Sequence, residues 1–208
     1  MPALKQYLIY TFDELSESAK EKAREWYRDG QLDYDWWEFV YDDADKIASI
    51  IGIDIDRKGK NTPAIYFSGF WSQGDGACFE GSYRYKKGWR KELAEYAPRI
   101  GTNIEVWQIA EALQAVQARH FYKLEATCRQ RGHYQHSGCM SVDVEHAEDR
   151  YRDIGDAEGE IRDQLRLFAD WIYGRLEQEH DWLTSDEQVD EAIRANEYTF
   201  NEDGGWEG

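Results

Sequence analysis

Tyr122-Lys123-Leu124-Glu125-Ala126-Thr127-Cys128-Arg129 and, eleven residues on, Met140-Ser141-Val142-Asp143-Val144-Glu145-His146 are the stretches that decide the fold class. Each alternates with a period of two, the signature of a strand with one buried face. Tyr122, Leu124, Ala126 and Cys128 would share the buried face with Met140, Val142, Val144 and His146, while Lys123, Glu125, Thr127, Arg129, Ser141, Asp143 and Glu145 face water. The loop from Arg131 to Gly138 closes them into a hairpin. A sheet with one wet face is antiparallel and covered by helices on the other face only.

Working outward, Ile53 and Ile55 alternate with Asp54 and Asp56. Residues Ile65–Phe70 and Phe79–Tyr85 read as a further hairpin closed by Trp71-Ser72-Gln73-Gly74-Asp75-Gly76. Residues 4–12 read as a short strand, with Leu4, Tyr7, Ile9 and Tyr10. Helical spacing marks the rest. Ser16 is the expected N-cap of a helix ending before Gly30, and Trp36 to Ile51 place a stripe on a helix over about 34–51, stopped by Gly52. Helices are also expected over 89–97, over 103–119 behind the capping box Thr102-x-x-Glu105, over 157–183, and from Thr184-x-x-Glu187 to Ala195. Glu197–Phe200 returns as a strand. The fold class is therefore α+β: an antiparallel sheet built from hairpins, amphipathic helices on one face, and a helical C-terminal third. A single domain over 1–200 with a flexible acidic tail over 201–208 is expected.

The 208 residues hold 42 acidic and 25 basic side chains, a formal charge of −17. With 41% hydrophobic residues and nine tryptophans, this is a folded chain and not an acidic disordered segment. The charge is uneven: residues 1–56 carry −8, 57–131 carry +6, 132–142 none and 143–208 carry −15. An anionic surface repels phosphate backbones and anionic lipid, so nucleic acid is expected only at the basic middle, where Tyr66, Phe70, Tyr83, Tyr85 and Tyr122 lie near Arg84, Lys86, Lys87, Arg90, Lys91, Arg129 and Arg131. The alternation puts most of those rings in the core instead. No apolar run reaches the ~20 residues that a membrane span needs, and Met1–Gln6 lacks a signal-peptide core. Three cysteines are a poor disulfide framework, which points to a reducing cytoplasm.

Several stretches carry a family likeness. Tyr10-Thr11-Phe12-Asp13-Glu14-Leu15-Ser16, Asp35-Trp36-Trp37, Tyr66 through Ala77, His136-Ser137-Gly138-Cys139 and Asn196-Glu197-Tyr198-Thr199-Phe200 resemble small acidic proteins encoded by phages and prophages of bacteria, often labelled the antitoxin of a toxin-antitoxin stability system. The resemblance runs along nearly the whole chain. It implies a phage or prophage setting and assigns no residue a role.

Three constellations could carry chemistry. Cys128-x4-His133-x2-His136-x2-Cys139 offers four zinc-type donors, although Cys128 and Cys139 fall on the apolar face. The Trp71–Gly76 loop could present Trp71, Ser72, Gln73 and Asp75, with Arg84 nearby in sequence, to a nucleotide-like small molecule; the competing reading is an ordinary tight turn. Asp186, Glu187, Asp190 and Glu191, with Glu177, Glu179 and Asp181, can form an acidic row suited to the basic groove of a nuclease, toxin or defence effector. No P-loop, Gly-x-Ser-x-Gly, His-Glu-x-x-His or dinucleotide fingerprint is present, so neither catalysis nor a cofactor is expected. The leading expectation is a non-enzymatic inhibitor or antitoxin that blocks a basic bacterial protein; the alternative is a binder that sequesters a nucleotide signal.

Overall fold

A computed structural model describes residues 8–59, 61–96, 98 and 104–207. Its elements are β1 (Tyr10–Thr11), α1 (Glu17–Gly30), α2 (Glu38–Ile51), β2 (Ile53–Ile55), β3 (Arg57–Lys58), β4 (Thr62–Pro63), β5 (Ile65–Ser68), β6 (Gly76–Phe79), β7 (Gly81–Arg84), α3 (Trp89–Tyr96), α4 (Ile104–Arg119), β8 (Leu124–Gln130), β9 (Met140–His146), α5 (Ala157–Leu183), α6 (Asp186–Ala195) and β10 (Thr199–Phe200). All strand pairs are antiparallel, and the class is α+β. The chain packs as two compact units: a central one, Trp37–Glu177, and a terminal one that joins Met1–Trp36 to Gln178–Gly208.

The central unit is organised by a four-stranded sheet in the order β2-β7-β8-β9. Leu124 faces His146, Ala126 faces Val144 and Cys128 faces Val142, so the residues that alternation puts on one face do pair with one another. Ile53, Ile55, Tyr83, Leu124, Ala126, Cys128, Met140 and Val142 are buried, whereas Asp54, Arg84, Thr127, Arg129, Asp143 and Glu145 are exposed. Tyr122 falls outside the strand, in a left-handed turn with φ of 61°. Buried Gln117 of α4 bonds the backbone of Leu124 in both directions, donating from Nε2 to its carbonyl at 2.8 Å and accepting its N–H at 3.2 Å. That satisfies a polar side chain inside an apolar layer.

The expected hairpin around Trp71–Gly76 is shorter than the alternation suggests. β5 pairs with β6 only, from Ile65↔Phe79 to Ser68↔Gly76. All four residues of β6 are buried, so that segment has no wet face to alternate with. At Glu80 the chain changes sheets: its carbonyl accepts the Asp56 N–H and its own N–H donates to Ala64. β7 then runs between β2 and β8. Gly81 permits this, because a Cβ there would lie 2.2 Å from the Asp54 carbonyl oxygen.

The terminal unit is built by the two ends of the chain. β1 pairs with β10, Tyr10 opposite Phe200 and Thr11 opposite Thr199. Phe12, Leu15, Ala19, Ala23, Val189, Ile193 and Phe200 form its core, with Trp26, Tyr27 and Tyr198 packed against it. Residues 201–207, expected to be a flexible tail, fold back instead: Asn201 N–H donates to the Gly205 carbonyl, Glu207 N–H donates to Thr199, and Trp206 stacks on Trp26 with centroids 5.3 Å apart. Two large rings meeting face to face supply the apolar burial that holds the segment.

Element ends differ from expectation in three places. α2 begins at Glu38 and not near 34: Trp36 and Trp37 form a turn ahead of it, and Tyr34 a bend. The N-cap of α6 is Ser185, whose Oγ accepts the Gln188 N–H, while the Thr184 hydroxyl donates back to the His180 carbonyl. Of the strand expected over 4–12, residues 8–12 are described and only Tyr10–Thr11 is strand, Phe12 opening a 3-10 turn; residues 4–7, and Thr102 of the expected capping box, lie outside the described residues.

Candidate protein-binding surface

The terminal unit concentrates the charge. Its two segments carry 18 acidic and 6 basic side chains, a net of −12, against 24 acidic and 19 basic, a net of −5, for the central unit. Two antiparallel helices display it. α1 buries Ala19 and Ala23, and α6 buries Val189 and Ile193. On α1 the exposed acids Glu17, Glu21, Glu25 and Asp29 recur every four residues, which places their Cα atoms about 6 Å apart along the axis.

Not every predicted acid faces outward. Asp190 takes a bidentate contact from Arg24, Nε to Oδ1 at 2.7 Å and Nη2 to Oδ2 at 2.9 Å. Both side chains are largely buried, and the paired carboxylate raises the Arg24 pKa. Asp186 pairs with Arg28, whose Nε also donates to the Thr184 carbonyl at 2.9 Å. Both pairs hold α6 to α1; Asp190 is enclosed by its pair, whereas the Asp186 side chain stays 66% exposed. Glu187 and Glu191, about 100° round α6 from Asp186 and Asp190, are exposed. Together with Glu25 and Asp29 they form no ion pair among the described residues. Asp181 is exposed and Glu179 half-buried at the end of α5; Glu177 belongs to the central unit. Sequence reasoning missed Glu25 and Asp29, although the four-residue spacing of acids along α1 was the available signal.

The other candidate sets come apart. In the Trp71–Gly76 loop the Asp75 carboxylate accepts the N–H groups of Trp71, at 3.0 Å, and Ser72, at 2.6 Å. The carboxylate closes its own turn. Ser72, Gln73 and the Trp71 ring stay on the surface, with Trp71 80% exposed. Arg84 sits at the far end of the run that leaves this loop, on the wet face opposite Glu125, so it does not join the set. Of the zinc-type donors, only His136 and Cys139 meet; Cys128 is buried on β8, and no group of three or more His, Cys, Asp or Glu suited to a metal exists among the described residues. In the basic middle, Lys86 pairs with Glu92, Arg90 with Glu111, Lys91 with Glu95 and Arg129 with Asp56. Tyr83 is in the core, while Tyr85 and Tyr122 pack on each other with centroids 4.3 Å apart. Among the described residues no helix is long and apolar enough to cross a membrane.

The fold and its surfaces thus define a two-unit α+β protein whose net negative charge lies mostly in the unit formed by the chain ends. Residues 36–186, 151 of the 208, match the model of a domain of unknown function, DUF8835, and the chain belongs to that family. The match spans the whole central unit and ends at the first residue of α6, so Glu25, Asp29, Glu187 and Glu191 lie outside it. No curated protein and no solved structure matches the chain.

Proposed function

We propose that this protein is a non-enzymatic inhibitor that docks the acidic faces of α1 and α6 into a basic groove of a bacterial protein, in the cytoplasm of the host, as a counter-defence factor or antitoxin. The observation that carries the reading is the net charge of −12 on the terminal unit, with Glu25, Asp29, Glu187 and Glu191 exposed and in no ion pair among the described residues. Such a surface draws a basic partner in over a Debye length of about 8 Å and competes with a phosphate backbone for the same groove. The resemblance to phage and prophage proteins supports the setting. Catalysis is not needed for this role: occupancy of the groove blocks it.

The test is affinity capture from infected or lysogenic cells followed by carboxylate-directed cross-linking and mass spectrometry. The expected partner is a basic protein that raised salt releases when no cross-linker is added, and that the cross-linker joins to Glu25, Asp29, Glu187 or Glu191. A partner cross-linked only to the central unit, or retained regardless of salt, contradicts the reading.

A further inference from the structure

The His136–Cys139 contact left over from the dispersed zinc set has a geometry of its own. Ser137–Cys139 form a single 3-10 turn in which the Cys139 N–H donates to the His136 carbonyl at 2.9 Å. The imidazole folds back over that turn, so that His136 Nε2 lies 3.4 Å from Cys139 Sγ, hydrogen-bond distance for a thiol. With the ring proton on Nδ1, Nε2 is the acceptor of the thiol proton.

Four neighbours hold this pair. Gly138 leaves the imidazole its space: a Cβ there would stand 2.9 Å from both Cε1 and Nδ1. Gly76 of β6 does the same for the His136 stem, because a Cβ there would lie 2.5 Å from the His136 Cβ. Tyr134 stacks on the ring with centroids 6.1 Å apart and planes 27° apart. Arg166 of α5 pins the turn from the other side, donating from Nη2 to the Met140 carbonyl at 2.9 Å and the Gly138 carbonyl at 3.5 Å. Cys139 is half-buried, and so reachable, while Cys78 and Cys128 are buried and burial pushes each of their thiols up to about 12.

We infer that Cys139 is a nucleophilic thiol with His136 as its base, a modification site for low-molecular-weight disulfides. A nucleophile and a positioned base within hydrogen-bond reach are the parts that such chemistry needs. In the step, His136 Nε2 takes the Cys139 proton and the thiolate sulfur attacks one sulfur of the disulfide. The Cys139–S bond forms as the original S–S bond breaks, and the departing thiolate takes the proton back from the imidazolium. The product is a mixed disulfide on the surface of the central unit.

The test treats the full chain with oxidised glutathione and follows the adduct by intact mass and peptide mapping. The wild type is expected to gain one glutathionyl group, at Cys139, and Cys139→Ser none. Removing the base in His136→Gln should slow the reaction about tenfold or more. Gly138→Ala, which pushes the ring off the turn and leaves both reacting groups present, should slow it as well, and it decides the matter if the histidine variant does not fold. Unchanged rates in these variants, or an adduct on Cys78 or Cys128 of the folded protein, would overturn the inference.

Discussion

The central and terminal units are stabilised by different kinds of information in the chain. The central sheet rests on local alternation: β8 and β9 are joined by a short loop, and each residue's place on the buried or wet face follows from its neighbours. The terminal unit rests on encounters between the two ends of the chain, Arg24 with Asp190 across 166 residues and Tyr10 with Phe200 across the whole domain. It also carries most of the net charge. Like charges on a small unit cost stability unless some are paired, so the Arg24–Asp190 and Arg28–Asp186 contacts are where that cost is offset.

The largest effects should come from the two cores, and they should be separable. Phe168 is fully buried, edge-on to Phe79 and stacked on Trp171; Phe200 is fully buried beside Trp26. Replacing either with Ala is expected to cost about 3–5 kcal/mol. Hydrogen exchange resolved by peptide should show Phe200→Ala exposing α1 and α6 while β7, β8 and β9 keep their protection, and Phe168→Ala exposing the central sheet. Uniform loss of protection in both variants would break the distinction between the units.

Next in size is the ion pair. Arg24→Ala strips a largely buried Asp190 of its bidentate partner and leaves it only Arg194 at 4.0 Å, and about 2 kcal/mol of stability should go with it in denaturant unfolding. Glu187→Gln and Glu191→Gln, at exposed positions, should each stay within about 0.5 kcal/mol of the wild type. Equal costs for the two sets would mean that the outward acids are structural as well. Smaller again is the cap: Ser185→Ala should cost about 1 kcal/mol and Thr184→Ala less, because only the serine hydroxyl accepts an amide of α6.

How much was legible follows the same divide. The pairing of β8 with β9 and their buried face, the span of α5 over Ala157–Leu183 and the Ser16 cap of α1 follow from local periodicity and capping chemistry, and the structure shows each of them. The change of sheets at Glu80 was hidden because β6 is buried on both faces, and an unbroken apolar run carries no period to read. The internal use of Asp186 and Asp190 was hidden because an acid on a helix reads the same whether solvent or an arginine from the other end of the chain faces it. The chain's return at 201–207 was hidden because Asn, Asp and Gly signal a turn without saying what it packs on, and Trp26 lies some 180 residues away.

The central claim is that the outward acids of the terminal unit bind a basic partner. The direct measurement is partner binding by the wild type, by a quadruple variant Glu25→Lys, Asp29→Lys, Glu187→Lys, Glu191→Lys, and by a control that reverses four exposed acids of the central unit, Asp54, Asp143, Glu145 and Asp163, each at two or more salt concentrations. The quadruple variant should keep its fold, because none of its four residues forms an internal ion pair among the described residues, and should lose binding, while the control retains it and salt weakens the wild type. Wild-type binding by the quadruple variant, or equal loss in the control, would contradict the claim.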